Sequence, residues 1–77
     1  MSDKEEYRLF AERLQQLRIE RNLTLEALAE ELGIGATTIW QYENCHREPR
    51  WKSILKMMRY FNVTSDWLMG ITNERDR

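Results

Sequence analysis

The sequence predicts an all-α domain built from five short helices. Apolar residues recur at spacings of three and four through most of the chain, and this spacing places them on one side of an α-helix. Residues that begin or end helices separate these stretches at short intervals. No stretch has the alternation of a strand, and 77 residues suffice for a single core. We therefore expect residues 1–77 to form one compact helical domain.

The first helix is predicted from about residue 5 to residue 21. Phe10, Leu14 and Leu17 share one side of this helix and should face the core. Asn22 is expected to end it. The side chains expected to lie mostly in solvent are Arg8, Glu12, Gln15 and Gln16.

The second helix is predicted over residues 25–32, with an apolar stripe on one side. Thr24 is a suitable N-cap, because its hydroxyl can accept a hydrogen bond from a free amide of the first turn. Gly33 should end the helix, since glycine adopts the left-handed conformation without a Cβ penalty. A third helix is predicted almost at once, over residues 36–43. The stripe of the second helix comprises Leu25, Leu28, Ala29 and Leu32.

Two further helices are predicted in the second half of the chain. The fourth has apolar residues at helical spacing and ends before Asn62. The fifth begins after Thr64, has Asp66 near the positive end of its dipole, and reaches Leu68 before Gly70 ends it. Residues 71–77 are expected to fray. The apolar residues of the fourth helix are Trp51, Ile54, Leu55, Met58 and Phe61.

The composition argues against an enzyme, a metal site and a membrane protein. The chain has one histidine and one cysteine, which provide neither a catalytic triad nor a metal-ligand set, and it has no phosphate-binding glycine loop. Cys45 cannot form an internal disulfide. There is no apolar run long enough for a membrane span and no secretory signal. We expect a cytoplasmic protein without cofactors.

Charge is distributed unevenly along the chain. Residues 1–32 contain five basic and eight acidic residues, whereas residues 33–62 contain five basic and two acidic ones. The total charge of −1 is low for a nucleic-acid binder, but the basic region begins where the third helix is predicted. The basic side chains of this region either form a local phosphate-binding patch or are ordinary solvated residues.

The second and third predicted helices meet across a tight turn. This arrangement is typical of the motif in which the second of two short helices enters the major groove of DNA. Two short helices can also be joined in this way merely to pack in a bundle. The pattern alone leaves both interpretations open.

Five motifs occur in order along the chain: RLQQLR before LT, LA-x-x-LG, TTI-x-x-YEN, REP and FNV-x-x-DWL-x-G. Together they resemble the lambda-repressor-like family of transcriptional regulators, also called the Cro or XRE type, over about residues 10–70. The resemblance implies a compact five-helix DNA-binding domain in which helices two and three form a helix-turn-helix. It also implies two protomers on a palindromic operator, most often as a repressor of bacterial or phage origin.

The resemblance assigns DNA contacts to the third helix and to the loop after it. Gln41 is the best base reader, because its amide can pair bidentately with adenine, and Thr37 can touch a thymine methyl group. Contacts from the loop position the protein on the phosphates rather than specify sequence. The expected base contacts are Ala36, Thr37, Trp40 and Gln41. The expected phosphate contacts are Thr38, Asn44, His46, Arg47 and Arg50.

Other residues of the resemblance are expected to be structural. Arg18 and Glu43 match a pair that commonly forms an internal salt bridge in the family, and a bidentate pair would hold the third helix at its angle. Four large side chains are expected in the core rather than at a ligand: Ile39, Tyr42, Trp51 and Trp67.

The chain departs from the family pattern on its DNA-facing side. Leu25 replaces a usual glutamine, and Ala36 and Trp40 replace residues that are usually polar or small. An apolar face of this kind could contact DNA, or it could bind another protein as an antirepressor does. Cys45 replaces a usual glycine and is expected in a left-handed turn, at a cost of about 1 kcal/mol. A homodimer is expected to form through helix five and nearby residues such as Leu68, Met69 and Ile71.

Overall fold

The computed structural model describes residues 3–75 and confirms the predicted all-α architecture. Five helices follow one another in the described chain, and the segment extends over 32 × 27 × 21 Å. None of these helices has the length and apolar character that crossing a membrane requires. The helices are α1 Asp3–Glu20, α2 Leu25–Leu32, α3 Ala36–Glu43, α4 Trp51–Phe61 and α5 Ser65–Leu68.

The predicted N-caps of α2 and α5 are confirmed. The hydroxyl of Thr24 accepts a hydrogen bond from the amide of Ala27 at 3.0 Å. The hydroxyl of Thr64 does the same for the amide of Trp67, also at 3.0 Å. Each bond satisfies one of the amides that a helix leaves free in its first turn. Short-range hydrogen bonding therefore sets where these two helices begin.

All five helices end in the same way. A residue with positive φ follows the helix, and the next residue donates its amide to the carbonyl five positions earlier, as in a Schellman turn. In α3 this bond joins His46 N to Gln41 O at 2.8 Å, and Cys45 has the predicted left-handed φ of 60°. The five left-handed residues are Asn22, Gly33, Cys45, Asn62 and Gly70.

The core lies where α1 packs against α3 and α5, and where α2 packs against α3 and α4. Tyr42 of α3 meets the ring of Phe10 edge-on, with 5.7 Å between the centroids. Its hydroxyl is 3.0 Å from Ser53 Oγ on α4, so the phenol is satisfied although it is buried. The predicted inward residues of α1, the predicted core residues Ile39, Tyr42 and Trp67, and most of the α2 stripe are buried.

The predicted inward orientation of Trp51 is wrong. Its side chain is 71% exposed, and Leu55 and Met58 are only half-buried. The apolar arc of α4 is wider than the surface that the core covers, so Ile54 and Phe61 are buried as predicted, while Met57 is buried in place of the other three residues. The buried residues of α4 are Ser53, Ile54, Met57 and Phe61.

Residues 71–75, part of the segment predicted to fray, make hydrogen bonds to the rest of the domain. The amide and the hydroxyl of Thr64 donate to the carbonyls of Arg75 and Glu74, at 2.9 and 3.0 Å. Arg75 forms an ion pair with Glu20 at the end of α1, with 2.5 Å from Nη2 to Oε1. Arg13 of α1 donates to the carbonyls of Trp67 and Thr72. These bonds hold the segment against α1 and α5, whereas residues 76 and 77 lie outside the described chain.

Candidate nucleic-acid interface

Helix α3 is held on the domain by its inner side. Ile39 and Tyr42 are buried in the core between α1 and α2. Because the two residues lie three positions apart, they share one stripe of the helix and leave the opposite side in solvent. The outer side of α3 is therefore presented by a rigid base.

The predicted salt bridge between Arg18 and Glu43 is confirmed. Arg18 Nε and Nη2 donate to the two carboxylate oxygens of Glu43 at 2.7 and 3.0 Å, which is a bidentate pair. Arg18 Nη1 also donates to the carbonyl of Leu23 at 2.8 Å. The Glu43 side chain is only 3% exposed, and the hydrogen bond to it raises the pKa of Arg18 above its ordinary value. The pair joins α1 to the last residue of α3.

The four predicted base-contacting residues lie on α3 with different degrees of exposure. Thr37 is exposed, and Trp40 is 43% exposed. Ala36 and Gln41 are half-buried. Thr38, predicted to contact phosphate, is also half-buried on this helix. The outer side of α3 therefore offers a hydroxyl, an indole and an amide within two turns of helix.

The Schellman turn at Cys45 returns the chain along α3. Asn44 Nδ2 donates to the carbonyl of Trp40 at 2.9 Å. The His46 ring meets the Trp40 ring edge-on, with 5.1 Å between the centroids. Two of the predicted phosphate-contacting residues thus lie directly against a predicted base-contacting residue.

Arg47, the residue after His46, contacts Gln41, the residue after Trp40. Its Nη1 atom donates to Gln41 Oε1 at 3.2 Å, and both side chains are half-buried. The sequence did not reveal this pairing, because it depends on the reversal of the chain at Cys45. The positive φ of Cys45 is 60°, and it is the feature that brings residues 41 and 47 together.

A basic surface continues from this loop to the start of α4. Arg50 is exposed and precedes α4 without capping it through its side chain. The positive end of the α4 dipole is at this point, and it favours an anion. A shallow depression here is lined by Arg47, Glu48, Pro49, Arg50, Trp51 and Lys52.

The expected apolar face of Leu25, Ala36 and Trp40 is not continuous. Leu25 and Ala36 are half-buried and pack against the core, so only Trp40 extends to a large degree into solvent. One exposed indole beside His46 is a much smaller apolar surface than a protein-binding face requires. The structure thus gives little support to an antirepressor-like surface at these three residues.

A larger apolar surface lies between α4 and α5. The exposed indole of Trp51 lines it together with Leu55, Met58 and Met69. Leu68, which we expected at a dimer interface, is 0% exposed and belongs to the core, whereas Met69 and Ile71 are exposed as expected. The other residues that line this groove are Pro49, Ile54 and Ser65.

Comparison with known proteins identifies the family of this fold. A family model described as helix-turn-helix, HTH_3, matches residues 14–68. The chain belongs to the HTH_3 helix-turn-helix family. This match includes α2, α3 and the loop that carries Arg47, and it supports the resemblance that the motifs indicated.

The sequence relatives of this HTH_3 protein are bacterial regulators. It is 32% identical over 68 residues to the uncharacterized HTH-type transcriptional regulator YobD of Bacillus subtilis, covering 88% of this chain and 61% of YobD. It is 42% identical over 61 residues to the transcriptional activator BcrR of Enterococcus faecalis, covering 79% of this chain and 30% of BcrR. The chain therefore spans less than two thirds of the length of either relative.

Solved structures show the same fold. The restriction-modification controller protein C.AhdI of Aeromonas hydrophila superposes with a TM-score of 0.73 and 26% identity, covering 80% of this chain and 94% of C.AhdI. The SOS-response repressor LexA of Eubacterium rectale superposes with a TM-score of 0.79 at 20% identity, covering 84% of this chain and 69% of LexA. The second likeness concerns the fold alone.

Proposed function

We propose that the protein is a cytoplasmic, sequence-specific DNA-binding regulator that places α3 in the major groove. The observation that carries this proposal is the rigid presentation of α3. Its inner side is packed in the core, its end is joined to α1 by Arg18 and Glu43, and its outer side carries Thr37, Trp40 and Gln41. Membership of the HTH_3 family supports DNA as the partner.

Base contacts are assigned to the outer side of α3. The Gln41 amide has both a donor and an acceptor, which match the N7 and N6 groups of adenine. The Thr37 hydroxyl and methyl group and the Ala36 methyl group suit the edge of a thymine. The Trp40 indole packs on thymine methyl groups or on sugars, with its position set by His46.

Phosphate contacts are assigned to the start of α3 and to the loop between α3 and α4. Thr38, Asn44 and His46 supply neutral or titratable donors, and Arg47 and Arg50 supply fixed positive charge. The uncapped start of α4 adds amide groups and the positive end of a helix dipole. This local concentration of donors offsets the total charge of −1.

The protein acts as a homodimer on a palindromic operator in this proposal. One α3 helix reaches only a few base pairs, so two copies are needed for a site of useful length. The apolar groove around Trp51, with Leu55, Met58 and Met69, supplies the surface for self-association together with Ile71. The sequence analysis placed Leu68 in the dimer interface, but Leu68 is buried, and this surface is proposed as the interface instead.

Repression by occupying the operator is the mode of action that we propose. A phage repressor, RstR of Vibrio cholerae, is 29% identical to this chain over 55 residues, although BcrR is named as an activator. A small domain with α3 in the groove needs no further activity to block access of another protein to the same DNA.

Selection from a random duplex library tests this function. We expect an enriched palindromic motif, with an affinity that falls steeply as salt rises, because several phosphates are neutralised on binding. Sedimentation on the selected duplex should give two protomers per site. If the library yields no motif, or if binding is independent of salt, the proposed function is wrong.

A further inference from the structure

The hydrogen bond between Arg47 and Gln41 determines which way the Gln41 amide faces. A guanidinium group has only donors, so the atom that meets Arg47 Nη1 at 3.2 Å must be the amide oxygen. The amide nitrogen lies in the same plane on the opposite edge of the amide group, away from the atom that meets Arg47. A free glutamine at a protein surface has no such preference, because its amide can rotate through half a turn.

The position of Arg47 itself is held by the backbone. The amide of His46, the residue before Arg47, donates to the carbonyl of Gln41 at 2.8 Å. The amide of Cys45 donates to the carbonyl of Tyr42 at 3.4 Å, which completes the Schellman turn. The backbone therefore joins residue 46 to residue 41, and the side chains join residue 47 to residue 41. Because both side chains are half-buried, water competes less for their hydrogen bond than on an open surface.

We infer that Arg47 is a specificity-determining positioning residue, which orients the Gln41 amide so that α3 selects a purine with a free N7 and rejects cytosine. This inference rests on the proposed function and adds to it. In this role Arg47 acts on sequence choice as well as on phosphate binding, and its remaining donors stay available to a phosphate.

The base preference follows from the fixed orientation. The Nε2 group, turned away from Arg47, donates to the N7 atom of a purine, and the second lone pair of Oε1 accepts from adenine N6. Cytosine presents its N4 amino group as a donor in the major groove, so it meets the donor Nε2 and is rejected. Without Arg47 the amide can reverse, and its oxygen then accepts from cytosine N4.

The test uses the full chain and the duplex returned by the library selection. The base pair that Gln41 reads is first identified as the pair at which Gln41→Ala loses its preference. Affinities are then measured for the selected duplex and for duplexes in which this base pair is replaced. The variants are Gln41→Ala, Arg47→Ala, the double variant, and Arg50→Ala as a control that removes an exposed cation from the same loop. Thermal unfolding of each variant checks that it is folded.

We expect Arg47→Ala to lower the preference for purine over cytosine at this pair by about tenfold, the size of one good base contact. The double variant should lose no more preference than Gln41→Ala alone, because the two residues act as one unit. Arg50→Ala should weaken all duplexes equally and keep the preference. Gln41→Glu should shift the preference towards cytosine, since a carboxylate paired with Arg47 presents an acceptor.

Two results overturn the inference in different ways. If Arg47→Ala behaves like Arg50→Ala, with a uniform loss of affinity and an unchanged base preference, Arg47 only binds phosphate and the proposed function stands. If the wild-type chain selects no motif at all, the proposed function and this inference are both wrong.

Discussion

Two tryptophans lie on the surface of this domain in contrasting surroundings. Trp40 on α3 is 43% exposed and lies beside the His46 ring, one residue from Gln41. Trp51 at the start of α4 is 71% exposed and lines a groove whose other exposed members include Met69. The first indole is surrounded by hydrogen-bonding groups, whereas the second lies between the apolar groove and the basic depression that Arg50 and Lys52 line.

The comparison shows that the neighbours of an exposed tryptophan, rather than the residue itself, indicate its partner. Base edges and phosphates need donors and acceptors close to any apolar contact, and the Trp40 surface provides them. Protein interfaces have an apolar centre in which tryptophan is enriched, and the Trp51 groove has this character. We therefore propose that Trp40 contacts DNA and that Trp51 contacts the second protomer.

The largest effect is expected from Glu43→Ala, which removes the support of the Trp40 surface. Arg18 would remain half-buried without its carboxylate partner, and breaking a buried pair in this way costs about 3 kcal/mol of unfolding free energy. Urea denaturation measures the loss. Glu20→Ala is a matched control, because it removes a carboxylate from an exposed ion pair with Arg75 and should have a much smaller effect. Equal losses for the two variants would contradict a special role of the Glu43 pair.

Trp51→Ala should mainly weaken self-association. The substitution removes an apolar anchor from both copies of a symmetric interface, and we expect the dimer dissociation constant to rise by about thirtyfold or more. Analytical ultracentrifugation without DNA measures this constant. The unfolding free energy should change by less than about 0.5 kcal/mol, because the side chain is exposed. An unchanged dissociation constant would remove the groove as the interface.

Trp40→Ala should act on DNA binding alone. We expect a loss of affinity of about tenfold for the selected duplex, from the loss of one apolar contact with the bases, and no change in self-association. Titration of labelled duplex measures the affinity. Trp51→Ala is the reciprocal control, because on a duplex with a single half-site it should bind as the wild-type chain does. If Trp40→Ala disrupts the dimer instead, the assignment of the two tryptophans must be exchanged.

Cys45→Gly should stabilise the domain by about 1 kcal/mol. Cys45 has a φ of 60°, in a region where a Cβ atom is strained and glycine is not. Cys45→Ala keeps the Cβ atom and removes the thiol, so it should leave the unfolding free energy nearly unchanged. Thermal unfolding of the three proteins separates strain from thiol chemistry. A stabilisation shared by the alanine variant would show that the thiol, and not the backbone conformation, is unfavourable at this position.

The smallest effect is expected from protonation of Glu20, whose carboxylate pairs with Arg75 in the segment after α5. Hydrogen bonds from Arg75 and Gln16 lower the pKa of Glu20 to about 2, from an ordinary value of 4.5. Since the folded-state pKa is the lower one, the stabilisation is complete above pH 4.5 and is lost as the pH falls towards 2. The NMR signal of the Trp67 indole, on which Arg75 stacks, should follow this change. In Glu20→Gln the same signal should not titrate in this range, and a persistent titration would point to another carboxyl group.

The sequence predicted most of the local structure, because local interactions decide it. The boundaries of α2 follow from Thr24 and Gly33, whose hydrogen bond and backbone conformation involve only their neighbours in the chain. The side of α3 that faces outward follows from the helical spacing of Ile39 and Tyr42. The partnership of Arg18 and Glu43 came from the family resemblance, since nothing in the spacing of residues 25 positions apart predicts it.

Contacts between residues far apart in the chain could not be predicted from helical periodicity or capping residues. The apolar arc of α4 is wider than one buried stripe, so periodicity did not distinguish Trp51 from Met57 as the core residue. The segment after α5 is polar, and its order depends on hydrogen bonds and an ion pair to α1 that become possible only when the helices pack. The expected burial of Trp51 was wrong for this reason, and the contacts of the segment after α5 were not predicted.

The sequence by itself determined the five helices, their caps and the outward side of α3, since these depend on periodicity and on residues within one turn of each other. The tertiary structure decided which stripe of α4 is buried and how Arg47 meets Gln41. The first depends on the space that α2 and α5 leave, and the second on the left-handed turn at Cys45 that reverses the chain. Packing and chain reversal bring distant residues together, and helical periodicity carries no information about either.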